Sequence, residues 1–246
     1  MRKKYHNTSS LRIKLVTNLV LSVLVLCIGA LCLSPSSAFI EADGKGEGVY
    51  RSAGDKGVGI SLMFNVYMGT EEVYDILDIL AKYEAKATFF IGGCWADDNV
   101  PCLKAIDEAQ HEIGNHGYFH KDHTKLNLLE NQKEISSCNR FIELALGKKI
   151  ALFAPPSGAY NNDTLSACKA LNMKTILWSK DTIDWRDQNS TIIYERATKK
   201  VKNGDFILMH PTKATVEALG NILQYYHENR LQTVTISKNL QNEGAL

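Results

Sequence analysis

No excess charge of either sign marks this 246-residue sequence, in which 28 basic residues face 27 acidic ones. Nucleic-acid binders carry a basic field, and this chain supplies none. It is 45% hydrophobic and 22% charged, a balance that excludes a disordered or collagen-like chain. Its six cysteines include no Cys-x-x-Cys pair, which argues against a thiolate zinc site. No Gly-x-Gly-x-x-Gly follows the first strand-like segment, so a dinucleotide-binding fold is disfavoured. No repeat or low-complexity segment interrupts residues 58–236.

The first 14 residues lack acids but carry Arg2, Lys3, Lys4, Arg12 and Lys14. Residues 15–33 (LVTNLVLSVLVLCIGALCL) lack charge altogether. An apolar run this long reaches the roughly 20 residues that span a bilayer. Small residues at Ser36 and Ala38 also permit signal cleavage after Ala38. Residues 1–38 therefore read as a basic stub with a membrane anchor or a signal peptide. The basic flank places the stub in the cytoplasm and the remainder outside it. The alternatives are a single-pass membrane protein and a secreted one. Without residues 1–38 the chain holds 23 basic and 27 acidic residues, a mildly acidic body. Residues 39–57, with five glycines and mixed charge, read as a linker. Of the four cysteines in the body, Cys94 and Cys102 are near enough in sequence to form an exported disulfide.

Residues 58–240 alternate strand and helix patterns. Apolar, β-branched segments at 58–66, 86–91, 112–115, 150–154, 174–178, 205–209 and 232–236 predict seven strands. Helical spacing predicts helices at 71–83, 99–110, 128–146, 163–171, 191–201 and 213–229. Thr70 reads as the cap of the first. This alternation predicts an α/β fold with a parallel sheet, either a closed barrel or an open doubly wound sheet. The polar residues cluster where strands end. Asn65, His116, Ala154-Pro155-Pro156, Asp181 with Asp184, and His210 follow five different strands. In α/β barrels the strand C-termini form the active-site mouth. Tyr67 and Met68, just past the first strand, are candidates to line it. His116 and His120 stand four apart in HGYFH. On a helical turn that spacing sets both imidazoles on one face, within reach of one metal ion. Asp122 and His123 are adjacent candidates.

The run from KATFF at 86–90 through GNHGYFH, FAPPSGAY, DTIDW and ILMHP resembles the polysaccharide deacetylases with the NodB homology domain, carbohydrate esterase family 4. The resemblance covers about residues 56–240, and the membrane-anchored, sporulation-associated branch is the nearest in FNVYMGTEEV and FAPPSG. It implies a distorted (β/α) barrel, a divalent metal such as zinc, and removal of acetyl groups from chitin, peptidoglycan or xylan. It implies His116 and His120 as metal ligands, His210 as the acid that protonates the leaving amine, and Asp184 as its orienting carboxylate. Pro155, Trp185 and Leu208 match pocket-shaping positions. The first motif departs from the family's Thr-Phe-Asp-Asp-Gly. Asn65 stands at the catalytic-base position and Val66 at the carboxylate-ligand position, and Ala154 replaces the arginine that pairs with the base. An amide has no pKa near neutrality and cannot take a proton from water. General-base catalysis typically contributes ~10²–10⁴-fold. Two readings follow: a metal-assisted deacetylase with an altered base, for which Asp97, Asp98 or Asp181 would substitute, or an inactive domain that binds N-acetylated glycan such as peptidoglycan.

Overall fold

The computed structural model describes residues 16–19, 22 and 48–241. The chain divides into two units, 1–45 and 46–246. Residues 16–19 and 22 are helical, and the rest of the expected anchor or signal lies outside the described residues. Among the described residues no helix is long and apolar enough to cross a membrane.

The second unit is a curled half-barrel of eight parallel strands with helices on its outer face. The strands are β1 (Val49–Tyr50), β2 (Ser61–Val66), β3 (Thr88–Ile91), β4 (Glu112–Asn115), β5 (Leu152–Phe153), β6 (Lys174–Ile176), β7 (Lys180–Asp181) and β8 (Phe206–Met209). Their order is β1-β6-β5-β4-β3-β2-β8-β7, so the sheet opens between β1 and β7. An antiparallel bridge from Ser52 to Asp205 carries the segment after β1 toward the start of β8. Three sequence expectations change here. Residues 48–57, taken as linker, carry β1 and a 3-10 turn and belong to the folded body. The short strand β7 is additional. The strand expected at 232–236 shrinks to one bridge, Ile60 to Thr233, because Thr235 then caps a helix at Ile236–Leu240.

Strand alternation builds two apolar layers. Leu62, Phe64 and Val66 face the cluster beneath the helices, whereas Met63 joins Phe90, Ala154, Phe206 and Leu208 on the inner face. Both faces are covered, so the strands read as nearly continuous apolar runs. Helix α1 (Thr70–Lys82) buries Val73, Ile76, Leu77 and Leu80, the i, i+3, i+4, i+7 stripe of an amphipathic helix. Its cap is Gly69 (φ 73°), not Thr70. A Cβ at Gly69 would lie 2.2 Å from the Pro211 carbonyl oxygen, so glycine lets the loop after β2 approach the loop after β8. Thr70 Oγ1 instead accepts the indole N–H of buried Trp95 (3.0 Å). Helices α2 (Gly93–Asp98), α3 (Val100–Glu108) and α4 (Leu128–Leu146) follow, the last opened by a reciprocal cap between Asn127 and Glu130. Helices α5 (Asn162–Ala170), α6 (Ser190–Thr198) and α7 (Lys213–Glu228) complete the outer layer. Cys94, Cys102, Cys138 and Cys168 are all free thiols, so the Cys94–Cys102 disulfide does not form. Burial pushes the Cys102 and Cys168 thiols up to about 11, which leaves them protonated and inert.

His111, at the opposite end of the sheet from the strand C-termini, is buried, and its Nδ1 accepts the Ala87 N–H (3.3 Å). A proton on Nδ1 would set donor against donor. Burial, and then the Lys86 charge, lower its pKa from 6.5 to about 4. Between those values the unfolded chain binds more protons than the folded one, so stability falls as pH drops through that window. Urea titrations at pH 4.5 and 7 are expected to differ less for His111→Gln than for the unaltered chain. Equal pH dependence would reject this account.

Candidate active site

Because all eight strands are parallel, their C-termini share one end, and every polar strand-end residue named from the sequence lies there. Asn65 is in β2, His116 follows β4, Ala154 and Pro155 follow β5, Asp181 ends β7, and His210 follows β8.

His116 and His120 come together, but not on a helix. Chain reversal uses positive φ at Gly117 (77°) and His120 (53°). The Asn115 side chain accepts the Gly117 N–H (2.7 Å) and donates to the Ile135 carbonyl (2.8 Å). Buried Glu134 accepts the Phe119 N–H (2.5 Å). The two imidazoles end up 5.0 Å apart, edge to face. His116 Nδ1 lies 2.7 Å from the Ala154 carbonyl oxygen, which can only accept, so Nδ1 carries the proton and the Nε2 lone pair is free. Burial, then the neighbouring His120, lower the His116 pKa to about 3, and burial lowers that of His120, so both rings are neutral. Tyr67 stacks on His120 with ring centroids 4.6 Å apart. Gly92 makes room for it, since a Cβ there would sit 2.4 Å from the Tyr67 ring.

His123 does not join the pair. It is wholly buried, its Nδ1 is 2.6 Å from Asn131 Oδ1, and its ring packs 5.0 Å from Phe153. Asp122 caps the adjacent 3-10 turn through the Thr124 N–H (3.0 Å). Among the described residues no third His, Cys, Asp or Glu completes a cluster that could hold a metal ion. A catalytic zinc takes three protein ligands and an open position. Two neutral imidazoles fall short of that set, so the residues present do not fit the family's catalytic metal.

The Asp184–His210 pair is held by a full set of hydrogen bonds. Asp184 is fully buried and accepts three hydrogen bonds: from the His210 N–H (2.6 Å), His210 Nδ1 (2.7 Å) and Thr215 Oγ1 (2.6 Å). Its carbonyl accepts from Gln188 Nε2 (2.7 Å). The Asp184 carboxylate fixes the proton on His210 Nδ1 and leaves Nε2 free at the mouth. Thr215 and Gln188 were not foreseen. A threonine in the first turn of α7 looks in sequence like an ordinary helix-start residue.

Asn65, Val66 and Ala154 bring no ionisable group. Asn65 is 4% exposed, and its Oδ1 is buried with no hydrogen-bond partner. Val66 packs in the outer apolar cluster and Ala154 in the inner one. Asp181 is half-buried and its Oδ1 accepts the Ile183 N–H (2.8 Å), a turn-forming role; burial raises its pKa. Asp97 and Asp98 lie on α2 with exposed side chains. Leu208 is on the inner face, Pro155 is buried, and Trp185 is 59% exposed at the rim, with the Arg186 guanidinium 6.0 Å from its ring.

The family profile described as polysaccharide deacetylase matches residues 54–176. The chain is 38% identical over 173 residues to the uncharacterized protein YlxY of Bacillus subtilis, covering 70% of this chain and 54% of that protein. It thus spans about half the length of that relative. It is 32% identical over 174 residues to a peptidoglycan-N-acetylglucosamine deacetylase of Bacillus cereus, covering 68% and 80% of the two chains. Among solved structures, a CE4 family pseudoenzyme from Bacillus anthracis superposes with a TM-score of 0.75 at 34% identity, covering 78% and 69%. A mutant of it, described as having restored enzymatic activity, also superposes at 0.75.

Proposed function

The chain belongs to the polysaccharide deacetylase family, and from that premise we propose that it binds N-acetylated cell-wall glycan without hydrolysing it. One observation carries this reading: the base position holds Asn65, and none of the carboxylates considered as substitutes takes its place. Asp181 is spent on a turn, and Asp97 and Asp98 point to solvent from α2. Without a base, the water that should attack the acetyl carbonyl keeps its proton. With two histidines and no third ligand, zinc at this site is weakly held. The similarity to a protein described as a pseudoenzyme supports the same conclusion. The substrate class rests on the relatives named as peptidoglycan deacetylases. The apolar run at residues 15–33 supports a body held outside the cytoplasm at the membrane, where that glycan lies.

A second reading, slow metal-assisted deacetylation with a substitute base, is favoured by the intact Asp184–His210 pair. An oriented imidazole is a competent general acid. Acetate assays on the whole chain with peptidoglycan and with chitooligosaccharides, zinc present, separate the two. The expected result is saturable binding to at least one glycan and no acetate above the no-protein control. Release that disappears in His210→Ala would overturn the binding-only reading.

A further inference from the structure

The Asn65 amide oxygen is enclosed by the protein and bonded to nothing in it. Buried polar atoms without partners are rare, because leaving one unmade costs about 1–3 kcal/mol. Thr175 Oγ1 and His123 Nε2 are the other such atoms among the described residues. Asn65 stands at the C-terminal end of β2. Strand alternation puts it on the same face as Met63, among Phe90, Ala154 and Leu208. The β2–β8 register pairs Met63 with Leu208 and Phe64 with Met209, so the next step sets Asn65 beside His210. Ala154 offers no side-chain polar atom, Leu208 is 2% exposed, and the His116 Nδ1 proton is committed to a carbonyl.

Resting on the reading of this site as a glycan binder, we infer that Asn65 is its specificity-determining residue, accepting the amide N–H of an intact N-acetyl group. The site thereby selects acetylated over deacetylated sugar. An acetamido group brings a donor for Oδ1 and a methyl that matches the Leu208 and Ala154 surface. A glucosamine unit brings an ammonium instead. That charge would be stripped of water beside an amide that cannot ionise, and the buried Asp184 carboxylate already accepts three hydrogen bonds. A hydrolase with aspartate at this position would carry a charge that attracts its amine product. Asparagine removes that charge and keeps an acceptor of the same size, so the replacement favours the unreacted form of the glycan.

The test is calorimetric binding of N-acetylchitotetraose and of its fully deacetylated counterpart to the whole chain at pH 7. Tighter binding of the acetylated form, by roughly tenfold or more as one well-made hydrogen bond predicts, is the expected result. Asn65→Leu, which keeps the fork at Cγ and removes the acceptor, is expected to erase that preference while circular dichroism remains unchanged. Asn65→Ala provides a second variant should the first fail to fold, and it too is expected to erase the preference. Equal affinity for the two oligomers in the unaltered chain overturns this inference alone. Absence of binding to both, repeated with N-acetylated peptidoglycan, overturns it together with the glycan-binding reading.

Discussion

Asn65→Asp, Val66→Asp and Ala154→Arg combined are expected to raise acetate release with zinc from background by roughly 10²–10⁴-fold, the usual contribution of a general base. Each substitution alone is expected to give nothing. Asp at position 65 would be 4% exposed with no cation beside it, since Ala154 carries none. A buried lone carboxylate raises its pKa and protonates, so it cannot act as a base. Ala154→Arg alone buries an unpaired guanidinium in the inner apolar cluster. Val66→Asp alone puts a carboxylate where Val66 now packs with Phe64 and Ile91, and zinc is needed to draw it out and neutralise it. The three changes are therefore coupled, and the pairwise terms should dominate a mutant cycle. Thermal melts of Val66→Asp with and without zinc provide the folding control, zinc being expected to recover much of the loss. A folded triple variant that binds zinc and still releases no acetate would sink the claim that these three positions are what the site lacks.

Much of this site was legible because its chemistry sits at strand ends. Asn65, Ala154 and His210 each follow or end a short, largely apolar run that reads as a strand covered on both faces, whereas His116 follows the mixed segment EIGN. Parallel topology then brings those ends together without further information. The failures have local causes. The His116–His120 spacing suggested a helical turn, but positive φ at Gly117 and His120 made a tighter reversal that sequence spacing does not encode. His123 looked available as a ligand, yet Asn131, eight residues on, draws it into the core. Strand β1 was hidden in a glycine-rich stretch, because two residues are too few to show a period. The strand expected at 232–236 failed because Thr235 prefers to cap a helix. Thr215 was invisible because only the folded loops bring α7 under Asp184.

Asp184→Leu is expected to destabilise the body by about 3–5 kcal/mol, the range for breaking a buried charged network by removing one partner. For a body of this size that corresponds to a fall in Tm of roughly 10 °C. The carboxylate is fully buried, and its loss strands the His210 backbone N–H and the Thr215 hydroxyl as well as freeing the imidazole. Thr215→Val should cost less, since Asp184 keeps two of its three donors. His210→Ala should cost least, because that side chain is 24% exposed and its backbone N–H still reaches Asp184. This order bears on why the Asp184–His210 pair would persist in a chain that binds glycan without hydrolysing it. Asp184 ties the loop after β7 to the loop after β8 and to the first turn of α7, so a chain that abandoned hydrolysis would still keep it for the fold. His210 has no such excuse at its free Nε2, and its retention points to a ligand at the mouth. If Asp184→Leu instead melts like the unaltered chain, the pair is not held by stability, and its survival becomes an argument for turnover.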